Sequence, residues 1–233
     1  VIKKVWFFYF YFTIFSIVWG QNTNFQFWSE TGFRGKINKK LDWSATLTSR
    51  IHDLKLVTLF PQVGLKYKVA DWFKPSIDYR YIANREENGN YINKHRLNVN
   101  LQFEKEIKRF SLGFRMRYQY SFKGINTNYE PEFDNAIRIK PSLVYDIKKS
   151  LISPILSSEF FYNPSIGIYG QRFTRIRSFV GININLKGPH ELQLGYFFDK
   201  KINLPRLENR NVLNVQYMFS LSRKKNNKKA EKP

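Results

Sequence analysis

Cysteine is absent from all 233 residues, which removes disulfides, thiolate nucleophiles and Cys-ligated zinc or iron–sulfur sites. Histidine is nearly as scarce, and His52, His95 and His190 lie so far apart that a histidine-rich metal site is not expected. Acidic residues number 18 against 39 basic ones, a formal net charge of +21. Helical periodicity is also missing: beyond residue 24 no window of ten or more residues repeats its apolar positions at helical spacing. What the chain has in quantity is aromatic residues, 22 Phe, 14 Tyr and 5 Trp. That content is the opposite of a disordered chain, and the length suits one domain with a sizeable core.

Lys3 and Lys4 precede an uncharged run from Val5 to Trp19, which closes on Gly20 before the polar Gln21-Asn22-Thr23-Asn24. A basic start, an apolar stretch and a small residue before the cut are the layout of a secretory signal. The run is short of the ~20 apolar residues of a spanning helix, so residues 1–20 are expected to be a cleaved signal peptide and the mature chain to be exported. The tail Arg223 to Pro233 carries six basic residues and Glu231 and no large apolar side chain, and is expected to be disordered. With the two signal lysines and this tail set aside, the body keeps +14. An exported chain without a helical basic face is not expected to meet nucleic acid, and surface phosphates such as those of lipopolysaccharide are the expected anionic partners.

Between signal and tail, alternation with period two recurs almost to the end, which predicts strands. Phe110, Leu112, Phe114, Met116, Tyr118, Tyr120 and Phe122 fall on one face, with Ser111, Gly113, Arg115, Arg117, Gln119 and Ser121 on the other. The same pattern sets Leu41, Trp43, Ala45, Leu47 and Ile51 against Asp42, Ser44, Thr46, Thr48 and Arg50. Ten strands are predicted, at 41–52, 54–69, 72–84, 92–105, 108–122, 133–148, 152–163, 172–186, 189–200 and 208–222. They exceed the ~5–6 residues of soluble sheets and match the ~9–11 residues of a tilted bilayer-crossing strand plus overhang. Phe25, Phe27, Phe33 and Ile37 also alternate, so residues 21–40 are either a further strand, raising the total to twelve, or an N-terminal piece inside or beneath the lumen.

Joins near Ala70-Asp71, Lys105 to Ile107, Lys149-Ser150 and Lys187-Gly188 read as tight. Those at Asn84 to Tyr91, Lys123 to Glu132, Asn163 to Gln171 and Lys201 to Leu207 are long and rich in Asn, Gly, Glu and Pro. Alternating short and long joins are the habit of outer-membrane barrels, with short turns periplasmic and long loops external. Three further features favour a bilayer over water. The apolar face is too bulky to fit inside a barrel of this size. Aromatic residues such as Tyr79, Tyr81, Tyr118, Tyr120, Tyr196 and Phe198 suit an interfacial girdle. The polar face mixes Arg and Glu with Gly113, Gly181 and Gly195, as a crowded wet lumen would. The mean hydropathy of −0.46 is no objection, because the two faces average out. The fold expected is therefore an all-β transmembrane antiparallel up-and-down barrel spanning 41–222, closed because an open edge in hydrocarbon costs several kcal/mol per unpaired group.

Several short motifs, in their order and spacing, resemble those of the exported barrel proteins grouped as DUF2490, a domain of unknown function. They are Trp28-Ser29-Glu30, Gly64-Leu65-Lys66-Tyr67-Lys68-Val69, Tyr79-Arg80-Tyr81, His95-Arg96-Leu97, Arg115-Met116-Arg117-Tyr118-Gln119, Arg138 with Lys140 and Tyr145, and Glu159-Phe160-Phe161. The resemblance covers about Phe25 to Leu221. It implies an outer-membrane barrel, in a Gram-negative bacterium and served by the barrel-assembly machinery, with no established activity. The chain departs from the usual ending of such barrels by continuing past Leu221 into the basic tail.

The polar faces converge on twelve lumen candidates: Glu30, Asp78, Arg80, Arg96, Glu104, Arg115, Arg117, Arg138, Glu159, Arg175, Arg177 and Glu191. Guanidinium–carboxylate pairs among them would fill a narrow barrel with matched hydrogen bonds, and surplus arginine would line a pathway for anions. No Ser–His–acid set or paired-carboxylate motif stands out, although His95 and the acids Glu86, Glu87, Glu130, Glu132 and Asp134 fall near the outer loops. The spacing of Glu130, Glu132 and Asp134 is not that of a recognised calcium loop, so no metal or cofactor is expected. The expected function is non-enzymatic, structural or small-solute passage leaning to anions. An outer-membrane hydrolase or lipid-modifying enzyme, and a soluble exported binding module, are the rivals. The sequence assigns no oligomeric state.

Overall fold

The computed structural model describes residues 23–86, 88–122, 135–164, 170–186, 188–204 and 209–221. The expected signal segment 1–20, the loop 123–134 and the tail 223–233 lie outside the described residues. Eleven strands follow one another: β1 (Thr23–Lys36), β2 (Leu41–His52), β3 (Lys55–Tyr67), β4 (Ser76–Arg85), β5 (Tyr91–Ile107), β6 (Phe110–Phe122), β7 (Asn135–Tyr145), β8 (Ile152–Asn163), β9 (Arg172–Asn185), β10 (His190–Lys201) and β11 (Asn209–Ser220). Each pairs antiparallel with its sequence neighbours, and β1 closes the barrel against β11.

That closure sets the strand count at eleven, close to the ten expected and between it and the alternative twelve. The segment Phe25 to Ile37 is a strand, but it needs no missed partner, because β1 runs parallel to β11 from Thr23↔Asn209 to Arg34↔Ser220. An even total assumed antiparallel closure with both ends of the barrel chain on one side. A parallel ladder satisfies the backbone as fully, so an odd number can close. Thr23 consequently lies at the end of the barrel that carries the longer links, and Ser220 lies at the opposite end.

The links differ from the expected joins in three places: Lys105 to Ile107 belong to β5, with the turn at 108–109, the join at Lys149-Ser150 widens to 146–151, and the largest change is at 68–75. Residues 68–75, expected to be a tight join at Ala70-Asp71 followed by a strand from residue 72, form an eight-residue link instead. Phe73 makes an isolated bridge to Phe103, and Trp72, Phe73 and Phe103 stack with centroids 5.0–6.1 Å apart. Three packed rings fix this link where a two-residue turn could not hold them. Beside them the Lys68 ammonium hydrogen-bonds Asp71 and holds its carboxyl below the usual range. At the opposite end β2 and β3 are joined by Asp53 and Leu54 alone, at φ 47° and 57°, the left-handed pair that lets a two-residue turn follow the twist of its strands.

Sidedness follows the alternation. On β6 all seven apolar residues from Phe110 to Phe122 are at least 40% exposed, whereas Arg117, Gln119 and Ser121 are at most 8% exposed. The bulky apolar face thus points outward along the wall and the arginine face points into the lumen. Outward rings gather toward both ends. Tyr79, Tyr81 and Tyr120 lie with His95 and Phe122 toward the long-link end, and Phe33, Tyr217 and Phe219 lie with His190 at the other. Inside, glycines make room. The Phe179 ring lies over the paired Gly181 and Gly195, and a Cβ on Gly195 would sit 2.3 Å from its Cζ.

Candidate functional site

The lumen wall is set by register. Because β4, β5 and β6 pair Asp78 with Asn98 and Asn100 with Arg117, their inward side chains stack in adjacent rows. Asp78 Oδ2 accepts from Asn100 Nδ2 at 2.7 Å and from Arg117 Nη2 at 3.3 Å, while Arg117 Nε donates to Asn100 Oδ1. Gly64 on β3 leaves the space that Asp78 fills, since a Cβ there would lie 2.6 Å from Asp78 Oδ1.

Further round the same wall Glu159 of β8 receives two guanidiniums, Arg115 Nη2 and Arg138 Nη2, each at 2.7 Å. Arg177 approaches the same carboxylate at 4.0 Å and donates to Asp199 Oδ2 at 2.8 Å, and Arg175 Nε lies 3.6 Å from Asp199 Oδ1. Two carboxylates thus serve four arginines, with Glu159 only 4% and Asp199 only 2% exposed. Buried charges persist only when paired, and these are: both oxygens of Glu159 accept a guanidinium N–H, and Asp199 accepts through Oδ2 while its Oδ1 lies 3.6 Å from Arg175 Nε.

The other candidates stand apart from these clusters. Arg34 and Glu191 pair at the end where β11 terminates, with Ser220 also bonded to Arg34, and Lys74 and Glu104 pair at that same end. Glu30 accepts from Thr48 at 2.9 Å, and buried Arg96 donates to Ser121 at 3.1 Å. Arg80 donates both Nε and Nη2 to the neutral Gln62 Oε1. All twelve candidates face inward, but they form separate groups, with Asp78–Arg117 and Glu159–Arg115–Arg138–Arg177–Arg175 at the waist.

Sequence reasoning left out Arg50, Asp199 and a set of inward rings. Trp28, Phe60, Phe161 and Phe179 are at most 5% exposed. Arg50 Cζ lies 3.9 Å from the centroid of the Trp28 ring and 4.9 Å from that of Phe60, and Arg80 Cζ lies 4.3 Å from Phe60. Arg138 and Arg177 rest on Phe161 in the same way. Alternation did carry the signal, since Trp28 shares its face with Glu30, and Phe197 shares its face with Asp199. An apolar ring on a polar face was read past because the lumen was expected to be polar throughout.

Above the waist, toward the long-link end, lies a cavity of about 1050 Å³. It is lined by Trp28, Arg50, Phe60 and Arg80, by residues up to Glu86 and Asn88, and on its lower side by Arg117, Arg138 and Arg177 of the paired clusters. Nine Arg or Lys side chains reach it and only two carboxylates, Glu30 and Glu86. A second cavity of about 550 Å³ lies on the outward wall beside Pro141, where the β7–β8 pairing skips from Ile139↔Phe160 to Ser142↔Ser157. It carries no charged group, and Leu143, Leu156, Val180, Tyr196 and Phe198 make it an apolar furrow.

His95, the expected rim histidine, faces outward, and its Nδ1 bonds the Tyr79 hydroxyl at 2.7 Å. Glu86 borders the lumen cavity, while Glu87, Glu130, Glu132 and Asp134 lie outside the described residues. Among the described residues no three His, Asp or Glu side chains gather as metal ligands would.

Residues 25–210 match the family described as protein of unknown function (DUF2490), a span that takes in most of β1, all of β2 to β10 and the start of β11. The chain belongs to the DUF2490 family. No curated protein matches it. For this DUF2490 member the fold is a closed β-barrel, and the chemistry has to be argued from its own lumen.

Proposed function

We propose that this DUF2490 protein is a non-enzymatic integral barrel of the bacterial outer membrane, which admits small anions to an arginine-rich lumen and passes them. The observation that carries the reading is the sidedness of the wall: bulky apolar side chains face out and guanidiniums face in. Outside a bilayer such a surface would be a contiguous apolar patch far larger than the few hundred Å² that soluble monomers expose. Lipid covers it at no cost, and the outward rings near both ends suit the two membrane interfaces. Membrane lipid and lipopolysaccharide are then the surrounding partners, and the barrel-assembly machinery inserts the chain. A wide mouth bearing mostly basic side chains concentrates anions and repels cations.

Full-length protein extracted in detergent and reconstituted into planar bilayers is expected to conduct. Under a salt gradient its reversal potential should show anion preference, and Arg115→Ala plus Arg117→Ala should lower that preference. A silent barrel would overturn passage. Recovery of the protein from the aqueous periplasm without detergent would overturn the membrane assignment itself. A second reading, a sealed structural barrel, is favoured by the waist, where Asn98, Asn100 and Asp199 are at most 2% exposed. The same recording decides between the two.

A further inference from the structure

Arg50 and Arg80 differ from the waist arginines in what neutralises them. Among the described residues neither has a carboxylate within ion-pair distance, and Arg80 spends its donors on the amide oxygen of Gln62. The Nε of Arg50 is buried without a hydrogen-bond partner. Both guanidiniums instead lie against one ring, Phe60, with Trp28 on the other side of Arg50. A ring face supports a cation but is only a weak acceptor for its N–H groups, so the edge of the guanidinium plane stays available to a stronger incoming acceptor. Both Cζ atoms lie within 4.9 Å of the Phe60 centroid, which sets two guanidiniums around one ring and favours an occupant that carries two negative charges.

A phosphate monoester meets that requirement near neutral pH, its second pKa being about 6, whereas a carboxylate brings only one charge. Its oxygens also match the planar donor fork of arginine. The cavity of about 1050 Å³ is much larger than a phosphate, and Val57, Ile82 and Ile92 give it an apolar flank beside the basic one. We propose that Arg50 and Arg80, mounted on Trp28 and Phe60, bind the phosphate of a small organic phosphomonoester that enters at the long-link mouth. The proposal rests on the reading of the lumen as an anion-accepting compartment, but not on conduction. The phosphate belongs either to a free solute or to a lipid headgroup reaching in from the mouth.

The test is isothermal titration of full-length protein in neutral detergent with glucose 6-phosphate, with glucose, and with a diphosphoryl glycolipid in mixed micelles. Saturable binding of either phosphorylated probe and none of glucose is expected. Arg50→Gln plus Arg80→Gln should weaken that binding at least tenfold, while Lys74→Gln at the opposite end should leave it within twofold. Binding of the sugar phosphate assigns the site to a free solute, and binding of the glycolipid alone assigns it to a headgroup. Phenylglyoxal labelling of the unmutated protein gives a second measurement should the double variant fail to fold, with the phosphorylated probe expected to protect Arg50 and Arg80. Binding of neither probe, equal affinity in the folded double variant, or unprotected labelling overturns the proposal. A barrel that binds phosphate without conducting removes passage and leaves this site standing. One that conducts anions without binding either probe does the reverse.

Discussion

Arg138 and Arg177 meet the lumen through Glu159 and Asp199, whereas Arg50 and Arg80 meet it through Trp28, Phe60 and Gln62. At the waist the desolvation of each guanidinium is offset by a carboxylate that is itself buried, so removing either partner leaves a charge with nowhere to go. Above it, contact with a ring gives only about 0.5–2 kcal/mol, and the cavity keeps the guanidinium edges within reach of ions. One residue type therefore does two jobs in one barrel. Paired arginine cross-links neighbouring strands through Glu159 and Asp199, and Arg50 and Arg80 face the cavity with no carboxylate at ion-pair distance among the described residues.

The contrast is broken or sharpened first at Glu159. Glu159→Gln strips the carboxylate from Arg115 and Arg138 and from the flank of Arg177, and should cost about 3–5 kcal/mol, read as a lowered urea midpoint of the reconstituted barrel. A loss below about 1 kcal/mol would mean the waist is not held by its ion pairs. Next comes Gly195→Ala, whose Cβ meets the Phe179 ring and the Val180 carbonyl. It should destabilise by about 1–3 kcal/mol, and Phe179→Leu in the same chain should recover part of the loss. The smallest effect belongs to Arg50→Gln, for which a stability change under about 1 kcal/mol is expected alongside reduced anion preference in bilayer recordings. Were Arg50→Gln to cost as much as Glu159→Gln, the two sets of arginines would be one.

Much of the wall was legible along the chain. Alternation tells which face a strand residue takes, so Arg115 and Arg117 could be assigned to the same side as Gly113 and opposite Phe114 and Met116 without knowing any partner. The same rule places Arg50 with Thr48 and Phe197 with Asp199 on the inward face, although alternation alone does not say that a ring there will carry a guanidinium. Illegible were the pairings. Glu159 takes guanidiniums from β6 and β7 and Asp199 takes them from β9, and these choices depend on the register of neighbouring strands and on long inward side chains. The 68–75 link was illegible for a related reason, since Trp72 and Phe73 stack on Phe103, a partner some thirty residues along the chain.

Period-two hydrophobicity determined that long strands would present one greasy and one polar face, because successive side chains leave a strand on opposite sides. Tertiary structure alone decided that β1 closes on β11 in parallel, that the number is eleven, and that Arg50 and Arg80 share a ring instead of a carboxylate. Closure and neighbourhood are long-range facts. They depend on which strand ends meet around the barrel and at what stagger, and no local repeat encodes that.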